Sequence, residues 1–345
     1  MSLLHFAIET SCDETSAAVL RDNEVLSNIV SSQHFHTEYG GIVPELASRA
    51  HISIIDKISG SAFKESGIDS GMIGMVSATR GPGLIGSLLV GLNYAKAYSI
   101  AKKLDFFGID HIESHLYSCF IGQEEIEFPF ISLIVSGGHT ILVIVKDYFK
   151  YQILGQTQDD AAGEAFDKAA KMLGLGYPGG PLIDKLARDG NENFHRFPLS
   201  YVKENPYDFS FSGIKTSLLY YIRKNFSDIK GKFSGYESQL RDIAASYQKA
   251  VVESLIEKTI LASDNHNIRK IAISGGVSAN SKLREEFRKL TEQGYIIFFP
   301  EKKYSTDNAA MTGYTAYLKY KHFGKLKSML EQPAFARFDY DNFGK

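Results

Sequence analysis

Residues 130–145 read FISLIVSGGHTILVIV. An apolar run rich in Ile and Val stops at Ser136-Gly137-Gly138, and a second such run begins at once. That pattern predicts two buried strands joined by a tight glycine turn. Glycines at the turn would permit positive φ and a close approach, so that backbone N–H groups could face an anion. The same arrangement is expected twice more. Leu3 to Glu9 runs into the polar turn Thr10 to Thr15, which holds Cys12, Asp13 and Glu14, and Ser16 to Leu20 is strand-like again. Lys270 to Ile273 runs into Ser274-Gly275-Gly276 and then a helix. One such turn after a strand is an ordinary structural turn; three turns in matching contexts, two of them with paired glycines, point to a cleft lined by backbone donors.

Working outward, the first half reads βββαβαβ. Leu3–Glu9, Ser16–Leu20 and Val25–Val30 form three antiparallel strands, Glu38–Val43 a loop, and Pro44 opens a helix from Glu45 towards Phe63. A strand over Met72–Ala78, a helix over Leu84–Lys103 and a strand over Phe106–Ile109 complete it. The second half repeats this order. Strands are expected at Phe130–Val135, His139–Val145 and Tyr148–Leu154, and a helix at Ala161–Leu173. Then come a strand at Arg269–Ile273, a helix at Ala279–Leu290, a strand at Tyr295–Phe299 and a last helix at Asn308–Lys321. The repeat is interrupted by an insertion between Gly174 and about Gly235, with one helix at Gly213–Lys224, before a long helix at Tyr236–Ser263. A duplication of mixed strand and helix units predicts two related α/β lobes facing a cleft. The boundaries expected are 1–110, joined by the returning C-terminal helix at about 308–345, and 111–307.

Composition fits an ordinary globular chain. The 345 residues are 44% hydrophobic and 23% charged, enough to bury a large core in two lobes. A net charge of −2 announces no global affinity for nucleic acid, so any such site must be a local patch. Two cysteines, Cys12 and Cys119, make no disulfide framework and favour a reducing compartment. The start MSLLHFAIE lacks a basic segment and a signal-length apolar run, and no stretch approaches a membrane span. A cytoplasmic protein without membrane contact is expected.

Several side-chain groups could carry chemistry. His111-Ile112-Glu113-Ser114-His115 follows a strand and opens a helix, with Asp110 as its N-cap. Spacing i, i+4 puts both imidazoles on one face, within reach of one metal ion. Glu113 lies at i+2, roughly 200° round the helix, so the zincin arrangement with Glu beside the first His is absent. Asp307, at a helix start, is either a cap or a third ligand. Two His and one Asp leave open coordination positions, which suit an iron or zinc site that binds substrate. Asp13 and Glu14 are solvated acids or, in a cleft, a cation holder or proton acceptor. Cys12 has no neighbouring His to activate it and reads as a small buried residue. Asp160, Glu164 and Asp167 share a helix face that is solvated by default. Tyr177-Pro178-Gly179-Gly180-Pro181 reads as a rigid loop, with Asp184 beyond it, and such a loop could grip ribose hydroxyls. Ser278-Ala279-Asn280 begins a helix suited to an anion or purine contact.

Together these stretches resemble the TsaD family of tRNA threonylcarbamoyltransferases, in the bacterial or organellar form. The resemblance runs through IETSCDETSAAV from Ile8, VPELASRAH from Val43, RGPGLIGSLLVG from Arg80, HIESH from His111 and IVSGGHT from Ile134. It continues through DDAAGEAFDKAAKMLGLGYPGGP from Asp159, FSFSGIKTS from Phe209, GGVSAN from Gly275 and TDNAAM from Thr306. Ser305 stands where many relatives have Cys, with Asp307 kept. The resemblance implies the duplicated two-lobed fold of actin, the sugar kinases and the heat-shock chaperone ATPases. It implies transfer of a threonylcarbamoyl group from L-threonylcarbamoyl-adenylate to the N6 amine of the adenosine 3′ of the anticodon, in tRNAs reading codons that begin with A.

By the same resemblance His111, His115 and Asp307 hold one divalent metal ion, iron(II) ahead of zinc(II). Ile134, Val135, Ser136, Gly137 and Gly138 contact the donor's phosphate and carbamoyl region, and Asp167, Gly180, Asp184 and Asn280 its nucleotide. Asp13 is the candidate proton acceptor or orienting carboxylate. Implied partners are tRNA, the inactive paralogue TsaB as a heterodimer, and the ATPase TsaE. The helix from Glu45, with Leu46, Ile52, Ile54 and Ile55, is a candidate TsaB surface, although core packing would explain those residues equally well. Candidate phosphate contacts to tRNA are Lys203, Lys215, Arg223, Lys224, Lys230 and Lys232, or Lys319, Lys321, Lys325 and Lys327. A sugar-kinase-like phosphotransferase, a metalloprotease and a scaffold subunit are the competing readings. The kinase has no need of the His pair, the protease lacks Glu in register, and a scaffold needs no metal ligands.

Overall fold

The computed structural model describes residues 2–123, 125–226, 235–324, 329–340 and 343. Strands β1 (Leu4–Glu9), β2 (Glu14–Arg21) and β3 (Glu24–Ser32) form an antiparallel meander. Strands β4 (Met75–Gly81) and β5 (Asp105–Asp110) then add in parallel beside β1, giving the order β3-β2-β1-β4-β5. Helices α1 (Pro44–Ser66) and α2 (Ile85–Lys102) pack on this sheet. Phe6, Ile8, Val19 and Val76 meet Ile55, Ala62, Leu92 and Ala95 there. The last helix, Ala309–Phe323 (α9 in chain order), contacts β1, β2, β4 and β5, and its Ala316 packs with Met75, Phe107 and Ile109. A strand covered on both faces has no solvated side, so the central β1 reads as a mostly apolar run rather than an alternating one, and its His5 and Glu9 are buried.

The second sheet repeats the plan. Strands β6 (Phe130–Val135), β7 (Thr140–Asp147) and β8 (Lys150–Gln156) form the meander. Strands β9 (Lys270–Ser274) and β10 (Ile296–Phe298) run parallel beside β6, giving β10-β9-β6-β7-β8. The expected duplicated α/β fold is therefore present as two five-stranded mixed sheets of one topology. Helices α4 (Ala162–Met172) and α7 (Glu237–His266) supply Phe166, Ala169, Tyr247, Val251 and Leu255 to the core under Ile131, Leu133 and Leu142. Helix α3 (His111–Ser118) belongs with the first sheet, and α8 (Ser281–Lys289) with the second.

The chain divides into two compact units, Met1–Glu127 with Pro300–Phe343, and Phe128–Phe299. The boundaries expected at 110/111 and 307/308 differ from these. In the structure α3 and the segment before α9 fall within the first unit, because α3 packs against α9.

Two local expectations need correction. Residues Gly179 to Pro181 are not a loop: they open α5 (Gly179–Ala187). The Asp167 carboxylate accepts from Gly179 N at 2.7 Å, and a Cβ at Gly179 would stand 2.6 Å from Asp167 Cα. Only glycine fits that approach, and proline is tolerated in a first turn that lacks intrahelical N–H partners. The inserted segment thus carries α5 as well as α6 (Ser212–Asn225). The loop expected around Glu38 begins instead as a short 3-10 turn over His34–Tyr39. Among the described residues no helix is long and apolar enough to cross a membrane.

Candidate functional site

Asp110 ends β5 and caps α3, its carboxylate accepting from Ile112 N at 2.7 Å and Glu113 N at 3.1 Å. That cap starts the helix at His111 and puts His111 and His115 one turn apart, their ring centroids 4.6 Å from each other. Asp307 comes from the segment ahead of α9. Its Oδ1 lies 3.0 Å from His115 Nε2 and 3.5 Å from His111 Nε2. Asp307 is not the cap of α9; Asn308 takes that role, accepting from Met311 N at 3.1 Å. The three residues offer ligand atoms all within 4.8 Å of one another. Ligands about 2.1 Å from a shared ion sit ~3–3.5 Å apart, so this donor set fits one metal ion with little rearrangement. Two imidazole nitrogens and one carboxylate oxygen suit iron or zinc better than magnesium or calcium.

Behind His111 stands Glu9, the last residue of β1, which was not singled out as a site residue. Its Oε2 is 3.4 Å from His111 Nδ1, on the far side of the ring from Asp307. A carboxylate there fixes the tautomer that leaves Nε2 free to ligate. Glu9 is itself held by Ser11 N at 2.5 Å, by the Thr79 hydroxyl, and by Thr312 Oγ1 at 3.3 Å. Burial opposes charge on His111, but the Asp307 and Glu9 carboxylates outweigh it and push its pKa up to about 9. Burial likewise opposes charge on Glu9, and the His111 imidazolium overcomes it, drawing Glu9 below the usual carboxylate value. The one available signal was an acid ending an otherwise apolar buried strand, which has to meet a partner.

The first turn joins this cluster. Burial pushes the Glu14 carboxyl well above its ordinary range, and the charges of Asp307 and Asp13 add to that push. Burial and the same acids also hold the Cys12 thiol protonated, which agrees with reading it as a small unreactive residue. Glu14, crowded by Asp307, Asp13 and Glu9, sits where a bound cation would offset the burial and repulsion that oppose its charge.

The remaining predicted residues lie in the second unit. Ile134 and Val135 end β6, buried, and the turn Ser136–His139 closes with Ser136 N donating to His139 O at 2.8 Å. Gly137 and Gly138 do not have the positive φ expected; they are exposed, with nothing within 4 Å of where a Cβ would stand. Positive φ occurs instead at Gly275 (φ 87°), where a Cβ would overlap the Val135 carbonyl, so the turn after β9 abuts the end of β6. Gly163 N donates to Ser136 O at 3.2 Å, which brings the start of α4 to the same turn. Asp160, Glu164 and Asp167 are no solvated stripe. Asp160 precedes α4 and pairs with Lys168 and Lys215, both at 2.6 Å, while Asp167 secures Gly179. Asp184 Oδ1 accepts from Ser281 Oγ at 2.6 Å and Ser281 N at 3.1 Å, and its Oδ2 is 3.6 Å from Arg188. Asn280 caps α8 through Leu283 N at 2.9 Å and donates to Gln248 at 2.8 Å. Gly180 sits in the first turn of α5.

The basic candidates separate. Lys215 is engaged by Asp160, and Lys319 pairs with Glu113 at 2.6 Å, so neither serves a phosphate. Lys203, Arg223, Lys224 and Lys321 are exposed. Lys230, Lys232, Lys325 and Lys327 lie outside the described residues. On α1, Ile55 is core and Ile52 is 66% exposed.

A family model described as TsaD, tRNA N6-adenosine threonylcarbamoyltransferase, matches residues 24–314. A curated protein of that name from Caldicellulosiruptor saccharolyticus is 51% identical over 326 residues, covering 92% of this chain and 93% of its own. One from Chlorobium chlorochromatii is 48% identical over 333 residues, covering 93% of each. Among solved structures, full-length HypF in its phosphate- and nucleotide-bound form matches with a TM-score of 0.58 at 14% identity, over 97% of this chain and 56% of that one. Component A of the Acidaminococcus fermentans (R)-2-hydroxyglutaryl-CoA dehydratase matches at 0.51 and 14%, over 92% and 99%. At such identities these two speak for the fold alone, an actin-like ATPase fold.

Proposed function

The chain belongs to the TsaD family of tRNA N6-adenosine threonylcarbamoyltransferases, and we propose that its donor is L-threonylcarbamoyl-adenylate and its acceptor the adenosine 3′ of the anticodon in tRNAs reading A-starting codons. The observation that carries the reading is the convergence of His111, His115 and Asp307 within one unit. The donor is a mixed anhydride of a carbamic acid and AMP. The N6 nitrogen attacks the carbamoyl carbon, the C–O bond to phosphate breaks, AMP leaves with the electron pair, and the amine gives up one proton.

In this reading His111, His115 and Asp307 hold the ion, iron(II) ahead of zinc(II), while Glu9 keeps His111 in its ligating tautomer. When bound, the ion supplies Lewis acidity to the carbonyl oxygen, worth several kcal/mol by the general magnitude of such contacts. Asp13 orients the amine or accepts its proton. Ile134, Val135, Ser136, Gly137 and Gly138 border the phosphate and carbamoyl region, and the open space over the two glycines supports that assignment. Asp167 and Gly180 border the nucleotide through the α4–α5 junction. Asp184 meets the ribose through Oδ2, its more loosely paired oxygen, and Asn280 shapes the purine end. The adenosine leaves the anticodon-loop stack to be reached, and Lys203, Arg223, Lys224 and Lys321 are the candidates for phosphate contact.

TsaB and TsaE remain the proposed partners. Exposed Ile52 on α1, with Ile85 and Leu89 exposed on the adjacent α2, supports a protein-covered face for TsaB. A reducing compartment, the cytoplasm, suits the two free thiols.

The test incubates the protein and its paralogue with threonylcarbamoyl-adenylate and unmodified tRNA, with and without chelator. Transfer that the chelator abolishes and added metal restores is the expected result. ATP turnover with no transfer would replace this reading with the kinase one. Asp13→Asn that folds normally and transfers at the wild-type rate removes Asp13 from the mechanism.

A further inference from the structure

Helix α3 has eight residues and carries two of the three metal ligands, yet Asp307, the third, comes from a segment almost two hundred positions later. Something must set the distance between them. The start of α9, two residues past Asp307, is fixed by side chains of the first meander. Ser16 Oγ accepts from Ala309 N at 2.8 Å, and Asn28 Oδ1 from Ala310 N at 3.1 Å. Further along α9, on the far side of α3 from the two imidazoles, Lys319 Nζ lies 2.6 Å from Glu113 Oε2. Both side chains are largely withdrawn from water, at 18% and 7% exposure.

We propose that the Glu113–Lys319 pair is a clamp that sets the rotation of α3 and so the spacing of His111 and His115 from Asp307, which makes Lys319 and Glu113 positioning residues for the metal. The inference rests on the metal reading above. Glu113, at i+2, occupies the face opposite the ligands, so a restraint there controls rotation about the helix axis without touching the ion. An imidazole nitrogen stands roughly 6–7 Å from that axis, and a 10° rotation moves it by about 1 Å. Metal–ligand distances tolerate only about 0.2 Å. The same pair explains why HIESH keeps an acid out of zincin register: the carboxylate serves the scaffold instead of a water molecule. It also explains why Lys319 is not free to meet RNA phosphate. Breaking the pair removes the contact that ties this face of α3 to α9, which leaves the helix free to rotate.

Cobalt(II) titrated into metal-free protein against a competing chelator, with its visible absorption bands recorded, reads the site directly. Lys319→Met and Glu113→Gln are each expected to weaken cobalt binding 10–100-fold and to move the bands. The double variant should lose no more than either single one, and Lys319→Arg should recover most of the affinity. Should Lys319→Met fail to fold, the isosteric Glu113→Gln carries the comparison. Variants that melt at lower temperature but bind cobalt as wild type does, with unchanged bands, would show a purely structural pair and overturn the proposal. Wild-type protein that takes up no cobalt overturns the metal reading itself, an outcome told apart by the wild-type titration alone.

Discussion

Acid should destabilise this protein through one histidine remote from the proposed metal ligands. His5 lies in β1, fully buried, with Nε2 3.0 Å from the Asp22 carbonyl oxygen and its ring stacked 6.1 Å from Tyr317. The carbonyl can only accept, so Nε2 carries the proton, and Nδ1 is buried with no hydrogen-bond partner among the described residues. A second proton would have to sit on that nitrogen. Burial lowers the pKa from 6.5 to about 4, with the Asp22 carbonyl and carboxylate pulling weakly the other way. The unfolded chain takes up this proton through pH 6.5 and the native one only near 4, so between them the unfolded state binds more protons and stability falls as the pH is lowered. The displacement corresponds to about 3 kcal/mol, fully present above 6.5 and gone below 4. Urea unfolding from pH 7.5 to 4.5 checks it, compared with His5→Gln, whose amide can still donate to Asp22 but cannot ionise. Other titrating groups cancel in the comparison. Wild-type protein should lose roughly 2–3 kcal/mol more than the variant. Parallel pH profiles, or an imidazole that titrates near 6.5 in the native state by NMR, would refute the reasoning.

Other perturbations have equally definite outcomes. Asp307→Asn and His115→Ala should each purify with metal content well below one ion per chain and transfer activity at background, measured by elemental analysis beside the tRNA assay. Glu9→Gln removes the carboxylate behind His111 and should weaken metal about 10–100-fold while the ligands stay in place; competition titration reads it. Gly91→Ala would drive a Cβ into Thr10 Oγ1, which bonds the Ser87 carbonyl at 2.8 Å, and should cost ~1–3 kcal/mol, visible as a lowered thermal midpoint.

Much of this was legible in the residues because the signals were local. Apolar runs broken by polar or glycine turns place every strand to within a few positions, and the recurrence of three strands before a helix exposes the duplication. His111 and His115 were readable as a pair because i, i+4 spacing and the Asp110 cap are properties of one short segment. What escaped depended on distant partners. Nothing near Glu9 says that its neighbour is a residue about a hundred positions on, and nothing near Lys319 says that it faces Glu113. Asp307 and Asn308 both look like caps, and only the hydrogen bond to Met311 N decides between them. Pro178 and Pro181 suggested a loop because the carboxylate that draws Gly179 into a helix belongs to Asp167, on another element. The positive φ expected at Gly137 belongs to Gly275, since crowding by the β6 carbonyl is a tertiary fact.

That the first unit is interrupted by the second has a consequence during synthesis. His111 and His115 leave the ribosome early, while Asp307 emerges 192 residues after His115, followed by the helix that carries Lys319. For most of translation the nascent chain has the two imidazoles without Asp307, so the proposed site is incomplete. On the proposed metal reading, tight capture waits until the intervening α/β unit has been made, which would keep loading coupled to a nearly finished polypeptide.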